Sequence, residues 1–186
     1  MGFFDKFIKQ AEEDSPAFRP SRELRITVLA NTNGALDETE LSSYLDEFGS
    51  TDLFVLLGGV SVMDMLKVSW HPQWRDNAVI GVPVDGRDNA VFFKDGSARN
   101  LLVGGYVVEN VRFGGYSPFF GVGIRGCDVL FVTEWDEKVE AFISEQSPKA
   151  VIVGNIGHDG RIGNTDLFGG RGVNRFLITE DGVSRF

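Results

Sequence analysis

Polar and glycine residues follow the apolar runs of this chain at the positions where open α/β sheets bind their ligands, the carboxyl ends of strands. Five such segments stand out: NTNG at 31–34, GGVS at 58–61, PVDGRDN at 83–89, EW at 134–135 and GNIGHDG at 154–160. Carboxylates, amides and an imidazole are the groups that hold metal ions or move protons in hydrolytic sites. If these segments meet at one sheet edge, that edge is where chemistry could occur.

The order and spacing of these segments resemble the calcineurin-like metallophosphoesterase superfamily over residues 24–180. That family carries the motifs D-x-H, G-D, G-N-H-D, H and G-H-x-H, each after a strand. The framework that matches is LANTNG, LLGGVS, VIGVPVDGRD, DVLFVTE and SPKAVIVGNIGHDGR. The resemblance implies an α/β fold, a four-layer α/β/β/α sandwich of two mixed sheets, with a two-metal site that cleaves phosphate esters.

The chain departs from the family where the metal ligands belong. Neutral or missing side chains replace the ligands of three motifs: Asn31 and Asn33 in the first, Gly59 in the second, and Asn155 and Gly157 in the last. Glu134 stands in place of the lone histidine. In the third motif only Asp88 matches, and Arg87 takes the position of the catalytic histidine.

These replacements weaken metal binding for a physical reason. Two dications about 3.5–4 Å apart need anionic bridging ligands to offset their repulsion. Gly59 offers no side chain, and amide oxygens suit Mg²⁺ or Ca²⁺ better than Zn²⁺, Mn²⁺ or Fe. Arg87 would place a cation where the metals should lie. We therefore expect no catalytic residue and no cofactor, and a non-catalytic protein that serves as a binding or scaffolding module for a protein partner.

Two other hypotheses remain open. In the first, a rebuilt site holds one Mg²⁺ or Ca²⁺ or uses a histidine as general base near neutral pH; its residues would be His158, Asp88 and Glu134. In the second, a metal-free pocket binds an anion through guanidinium groups and the backbone of the glycine-rich segment 169–172. Its arginines would be Arg87, Arg161 and Arg171.

Composition narrows the classes of function. The 186 residues are 42% hydrophobic and 24% charged, which is typical of one soluble globular domain. A formal charge of −9 argues against nucleic-acid binding, because phosphate backbones need a cationic surface. The single cysteine, Cys127, excludes an internal disulfide and is expected to be a small buried apolar residue. With no apolar run of membrane-spanning length and no signal segment, we expect a cytoplasmic protein without a membrane span.

Apolar runs and helical spacing predict the elements that would position these residues. Strands are expected at 24–30, 53–57 and 78–82, with a helix at 37–48, and the pattern implies βαβ units. Hairpin strands are then expected at 91–93, 101–103, 106–108 and 111–113. Parallel structure returns with a strand at 128–133, a helix at 136–146 and a strand at 150–153, and a hairpin over 175–186 closes the chain.

The N-terminus is expected to be separate from this domain. Apolar residues at helical spacing predict an amphipathic helix over residues 1–13. Two prolines in the following stretch indicate a linker at 14–22. The metallophosphoesterase-like domain would then occupy residues 23–186.

Overall fold

The computed structural model describes residues 17–37, 39, 41–43, 46, 50–69, 72, 77–84, 90–94 and 96–186. The predicted N-terminal helix at 1–13 lies outside the described residues. Of the predicted linker, residues 17–22 are described. The Ser21 N–H donates to the Glu109 carbonyl over 2.9 Å, and the Arg22 guanidinium pairs with the Glu109 carboxylate over 3.2 Å. This part of the linker therefore lies against the body of the domain.

The elements follow one another in this chain order: β1 (Leu24–Ala30), β2 (Leu53–Leu57), α1 (Val62–Ser69), β3 (Ala78–Val82), α2 (Ala90–Lys94), β4 (Arg99–Asn100), β5 (Tyr106–Val108), β6 (Val111–Ser117), β7 (Val122–Gly123), β8 (Val129–Val132), α3 (Glu137–Gln146), β9 (Ala150–Val153), β10 (Gly160–Ile162), β11 (Thr165–Gly169), β12 (Gly172–Thr179) and β13 (Gly182–Arg185).

The described strands form two mixed sheets. The first has the order β13-β12-β1-β2-β3-β4, in which β1 to β4 are parallel and β12 is antiparallel to β1 and β13. The second has the order β10-β11-β9-β8-β6-β5, and β7 pairs with β6. Strands β11, β9, β8 and β6 are parallel, while β10, β5 and β7 are antiparallel. The parallel strands of each sheet thus end at one edge.

The two sheets pack face to face through a common apolar core. Alternate residues of β1, such as Ile26 and Val28, and the facing residues Phe113 and Phe131 of the second sheet belong to one buried cluster. The sheets come close at Gly115 of β6, where a Cβ atom would lie only 2.6 Å from a methyl carbon of Val82. Strands β2, β8 and β9 are apolar and buried at every position, as expected where each face of a sheet is covered.

The outer faces of the sheets carry two further apolar clusters. Met65 of α1 packs with Leu36, Leu41 and Phe54 on the first sheet. Val139 and Ile143 of α3 pack on the second. The Asp136 side chain accepts a hydrogen bond from the Val139 N–H over 2.9 Å and caps α3 at its N-terminus.

Two carboxylates fix the register of neighbouring parallel strands. Asp52, just before β2, accepts the Arg25 N–H of β1 over 2.8 Å. Asp128, just before β8, accepts the Arg112 N–H of β6 over 2.8 Å and also binds the Arg112 guanidinium over 2.7 Å. Each carboxylate satisfies a backbone donor at the amino end of a sheet. The polar loops lie at the opposite edge, where the parallel strands have their carboxyl ends.

Most predicted strands are confirmed, and two predictions in the middle of the chain are wrong. The segment 91–93 belongs to helix α2 instead of a strand, because Phe92 and Phe93 pack against the outer cluster of the first sheet. The segment 101–103 forms a turn, and the strand there is the two-residue β4 at 99–100. Helix α1 and strands β7, β10 and β11 were not predicted. In the predicted helix at 37–48, the described residues 39, 41–43 and 46 are helical.

Within the part of the chain that the structure describes, no helix is long and apolar enough to cross a membrane.

Candidate functional site

The carboxyl ends of strands from both sheets meet at one place. The Asn31 side-chain amide, directly after β1, donates to the Gly154 carbonyl after β9 over 2.7 Å. A Cβ atom on Gly154 would lie 2.8 Å from the Leu57 carbonyl oxygen of β2 and 3.1 Å from the Thr133 carbonyl oxygen after β8. Four strand ends are therefore in contact, and the segments that follow β1, β2, β8 and β9 share one edge, which we call the strand-end site.

Asn31 and Asn33 build the first loop of the strand-end site through their own hydrogen bonds. Both residues have left-handed backbones, with φ of 49° and 51°, a conformation that asparagine tolerates better than most residues. The Asn33 side-chain amide donates to the Asn31 carbonyl over 3.0 Å. The Asn33 N–H donates to the Gly59 carbonyl over 2.9 Å and joins this loop to the segment after β2.

The two asparagine side chains fill the space in front of Gly59. A Cβ atom at this position would lie 2.6 Å from Oδ1 of Asn33 and 3.0 Å from Oδ1 of Asn31. Real Cβ atoms do not come this close to oxygen, so no larger residue fits at position 59 while both side chains stay in place. The groups that converge here are neutral amide oxygens, which do not fit the anionic bridge that two dications require.

At the other positions where the resemblance implies replaced metal ligands, Glu134 is the one described residue that carries a charge. Oδ1 of Asn155 accepts the Trp135 N–H over 3.1 Å, and Glu134 is exposed. Gly157 lies in the irregular segment 156–159, which packs against Gly169. Asp88 and Arg87 lie outside the described residues. Among the residues whose placement is known, no group of three or more histidine, cysteine or acidic side chains is arranged to hold a metal ion.

His158 is exposed on the loop between β9 and β10, beside an acidic residue that is bound elsewhere. Oδ1 of Asp159 accepts the Gly169 N–H over 3.0 Å and the Arg185 guanidinium over 2.8 Å. Burial acts to raise the pKa of Asp159, but the hydrogen bonds from Arg185 and Gly169 outweigh it and hold the pKa below its ordinary value. Asp159 thus ties this loop to β13, and the structure shows no cluster that joins His158 with Glu134.

The predicted anion-binding arginines separate into different surroundings. Arg161 pairs with Asp166 across the β10–β11 hairpin, with 3.3 Å between Nε and Oδ1. Arg171 lies between β11 and β12 and lines a pocket of about 310 Å³. We call this cavity the Arg171 pocket, and its lining is formed by residues 31–32, 35–37, 41 and 171–173. Asn31 belongs both to this pocket and to the strand-end site.

Asp64 of α1 holds the first loop in place and was missed by the sequence analysis. Its fully buried carboxylate accepts hydrogen bonds from the Thr32 hydroxyl over 2.6 Å, the Gly34 N–H over 2.6 Å and the Leu36 N–H over 2.9 Å. It also accepts the Ser61 N–H over 3.3 Å, while the Ser61 hydroxyl accepts the Asp64 N–H, a reciprocal cap at the start of α1. The spacing of a serine three residues before an acidic residue is the signal that could have found both the helix and this contact.

The charge state of Asp64 follows from these contacts. Burial acts to raise the pKa of Asp64, but hydrogen bonds from Thr32, Leu36, Gly34 and Ser61 favour the ionised form and lower the pKa below its ordinary value.

Cys127 shows the opposite case. The thiol is buried as predicted, and burial raises its pKa to about 12, so it carries no thiolate at neutral pH.

Comparisons with known proteins inform the fold. No protein-family model matches this chain, and no curated protein matches it in sequence. One crystal structure superposes with a TM-score of 0.63 at 10% identity, and the match covers 89% of this chain and 99% of that chain. The crystal structure of TT1561 of Thermus thermophilus superposes with a TM-score of 0.54 at 14% identity and the same coverage, 89% and 99%. At these identities the similarity shows the fold alone, a mixed α/β sandwich of two sheets.

Replacing Asp64 by alanine should destabilise the protein by about 3 kcal/mol, because buried donors of the first loop lose their charged acceptor. Chemical denaturation at neutral pH measures this change. Folding lowers the pKa of Asp64. The contribution of its carboxylate to the free energy of unfolding is therefore complete above the ordinary aspartate pKa, and it is lost as the pH falls through the lowered pKa. The difference between wild type and Asp64→Ala should therefore shrink in acid. Asp166→Ala, at an exposed ion pair, is the control and should change stability by less than about 0.5 kcal/mol. Equal costs at the two positions would contradict this prediction.

A methyl group at position 59 should destabilise the protein by about 1–2 kcal/mol, because it must displace the asparagine amides. In an Asn33→Gly background the cost of Gly59→Ala should fall, since glycine keeps the left-handed backbone and removes the nearer oxygen. Gly104→Ala is the control, because a Cβ atom there meets no atom within 4 Å. A double-mutant cycle followed by denaturant unfolding measures the coupling. An unchanged cost of Gly59→Ala in both backgrounds would show that the amides do not occupy this space.

Proposed function

We propose that this chain is a non-catalytic metallophosphoesterase-like protein that uses its strand-end site to bind a partner. In this proposal the fold is a four-layer α/β/β/α sandwich, with α1 outside the first sheet and α3 outside the second. The packing of Met65 on one outer face and of Val139 on the other supports this layering. The meeting of four strand ends at one edge supports the placement of the site.

The contact of Asn31 and Asn33 with Gly59 is the observation that carries this proposal. A two-metal hydrolase needs a bridging carboxylate between its cations. At the corresponding position this chain has no side chain, and two neutral amide oxygens occupy the space. Asn31 is held in this orientation by its bond to the Gly154 carbonyl. The residues at this point pack against one another instead of forming a cage for ions.

Protein purified without chelator should contain less than stoichiometric metal and should not hydrolyse bis(p-nitrophenyl) phosphate with added Mn²⁺, because the amide pair supplies no bridging charge. Elemental analysis and the absorbance of nitrophenolate measure the two quantities. The variant that combines Asn31→Asp, Asn33→His and Gly59→Asp restores the family residues of the first two motifs. It should bind Mn²⁺ more tightly than wild type does.

Stoichiometric Mn, Fe or Zn in the wild-type protein would overturn the proposal. Hydrolysis that persists in the presence of chelator and disappears in His158→Gln would instead support the rebuilt, histidine-based site and would also overturn it. Because His158 is exposed, we expect the His158→Gln variant to fold normally.

The partner proposed here is a protein, and an exposed aromatic loop supports this choice. The segment between β6 and β7 follows the carboxyl end of a parallel strand, and it exposes 71% of Phe119 and 46% of Phe120. Their rings contact each other edge to face with centroids 5.0 Å apart. Aromatic residues, phenylalanine included, are enriched in protein–protein interfaces, since their large rings bury much apolar area.

Combined Phe119→Ser and Phe120→Ser substitutions should abolish the retention of a specific partner in quantitative pull-downs from the native cell, because they remove the aromatic contact area. The control is Val107→Ser, which alters an exposed apolar residue on β5. If the Val107 variant loses the same partner, or if the aromatic variant keeps it, this loop is not the binding surface.

A further inference from the structure

We propose that the Arg171 pocket binds a small organic anion that has an apolar body, with its carboxylate or phosphate group on the Arg171 guanidinium. The inference rests on the proposed binding function, because Asn31 belongs both to this pocket and to the strand-end site. The inference names a class of ligand, which the packing of the asparagine amides at Gly59 does not indicate.

The pocket has the size and the walls of a small-molecule site. Its volume of about 310 Å³ lies at the lower end of the range of roughly 300–1,000 Å³ that is typical of ligand pockets. Leu36 and Leu41 contribute buried apolar side chains, and Ala35 and Val173 complete the apolar lining. Such walls accept a hydrocarbon body, and the Arg171 side chain beside them is exposed to solvent.

Arg171 supplies the positive charge. Within the described part of the chain its guanidinium takes part in no ion pair, whereas six other arginines each contact a carboxylate: Arg22, Arg25, Arg112, Arg125, Arg161 and Arg185. Asp37 also lines the pocket, and it has an interaction of its own. A planar guanidinium that forms no ion pair, in the lining of a pocket with apolar walls, favours a ligand that brings an anionic group.

The backbone around Arg171 is fixed before any ligand arrives. The Gly170 N–H donates to the Val153 carbonyl over 2.8 Å, and the Arg171 carbonyl accepts the Asn174 side-chain amide over 3.0 Å. The facing loop is fixed as well. Besides the contacts of Asp64, the Lys67 ammonium donates to the Leu36 carbonyl over 2.7 Å. Because both walls are already ordered, the protein loses little conformational entropy when a ligand binds in the pocket.

Titration of the full chain with hexanoate, hexyl phosphate and hexanol tests the proposal, with affinity measured by calorimetry. At least one of the two anions should bind, and hexanol should bind at least about tenfold more weakly than that anion, because it has the same apolar body without the charge. The better anion identifies the source of the charge, carboxylate or phosphate. Arg171→Gln should weaken its binding at least about tenfold, while Arg161→Gln, whose arginine is already paired, should leave it unchanged.

A second variant tests the cavity separately from the charge. Ala35 is exposed at the pocket, so Ala35→Leu should fold normally, fill the apolar space and abolish binding while Arg171 is retained. Equal binding of hexanol, equal losses in the Arg161 and Arg171 variants, full affinity in Ala35→Leu, or no binding of either anion would each overturn the proposal. These outcomes leave the metal and hydrolysis measurements untouched, so a failure here is distinguishable from a failure of the proposed non-catalytic role.

Discussion

The buried carboxylate of Asp64 is the contact on which the candidate site depends. It lies at the first turn of α1, and its acceptors are used by donors from the loop after β1, namely Thr32, Gly34 and Leu36. An ionised group at this depth is tolerated only when hydrogen bonds replace its hydration. The same bonds set the course of the loop that carries Asn31 and Asn33. A single charged side chain thus links α1 to the strand-end site and to the Arg171 pocket.

The geometry at Gly59 explains why a single substitution would not introduce a metal ligand at this position. An aspartate at position 59 would collide with the amides of Asn31 and Asn33, and those amides are bound to the Gly154 and Asn31 carbonyls. The three positions therefore act as one packed unit. The side-chain packing that stabilises this point therefore occupies the space that metal ligands would need.

The parts of the fold that follow from apolar patterning could be predicted from the sequence, and those that depend on tertiary contacts could not. The runs at 53–57 and 150–153 are buried on both faces, so their composition alone indicates strands. The run at 91–93 is equally apolar and β-branched or aromatic, yet it is helical in α2, because its phenylalanines pack onto a sheet that the local sequence does not reveal. The strands β10 and β11 are short and polar on one side, and glycines within and between them weakened the pattern.

The location of the site could be predicted because the carboxyl ends of parallel strands must share an edge. What its residues do there could not be predicted, since that depends on which donor each side chain meets. Asn155 stands where the resemblance implies a replaced metal ligand, and in the structure its Oδ1 accepts the backbone N–H of Trp135. Arg161 and Arg171 were equivalent in the sequence, but only Arg161 faces a carboxylate across a hairpin. One scaffold therefore supports different chemistry according to how a few loop side chains are paired, and the pairing of each side chain, more than its type, indicates what the site can bind.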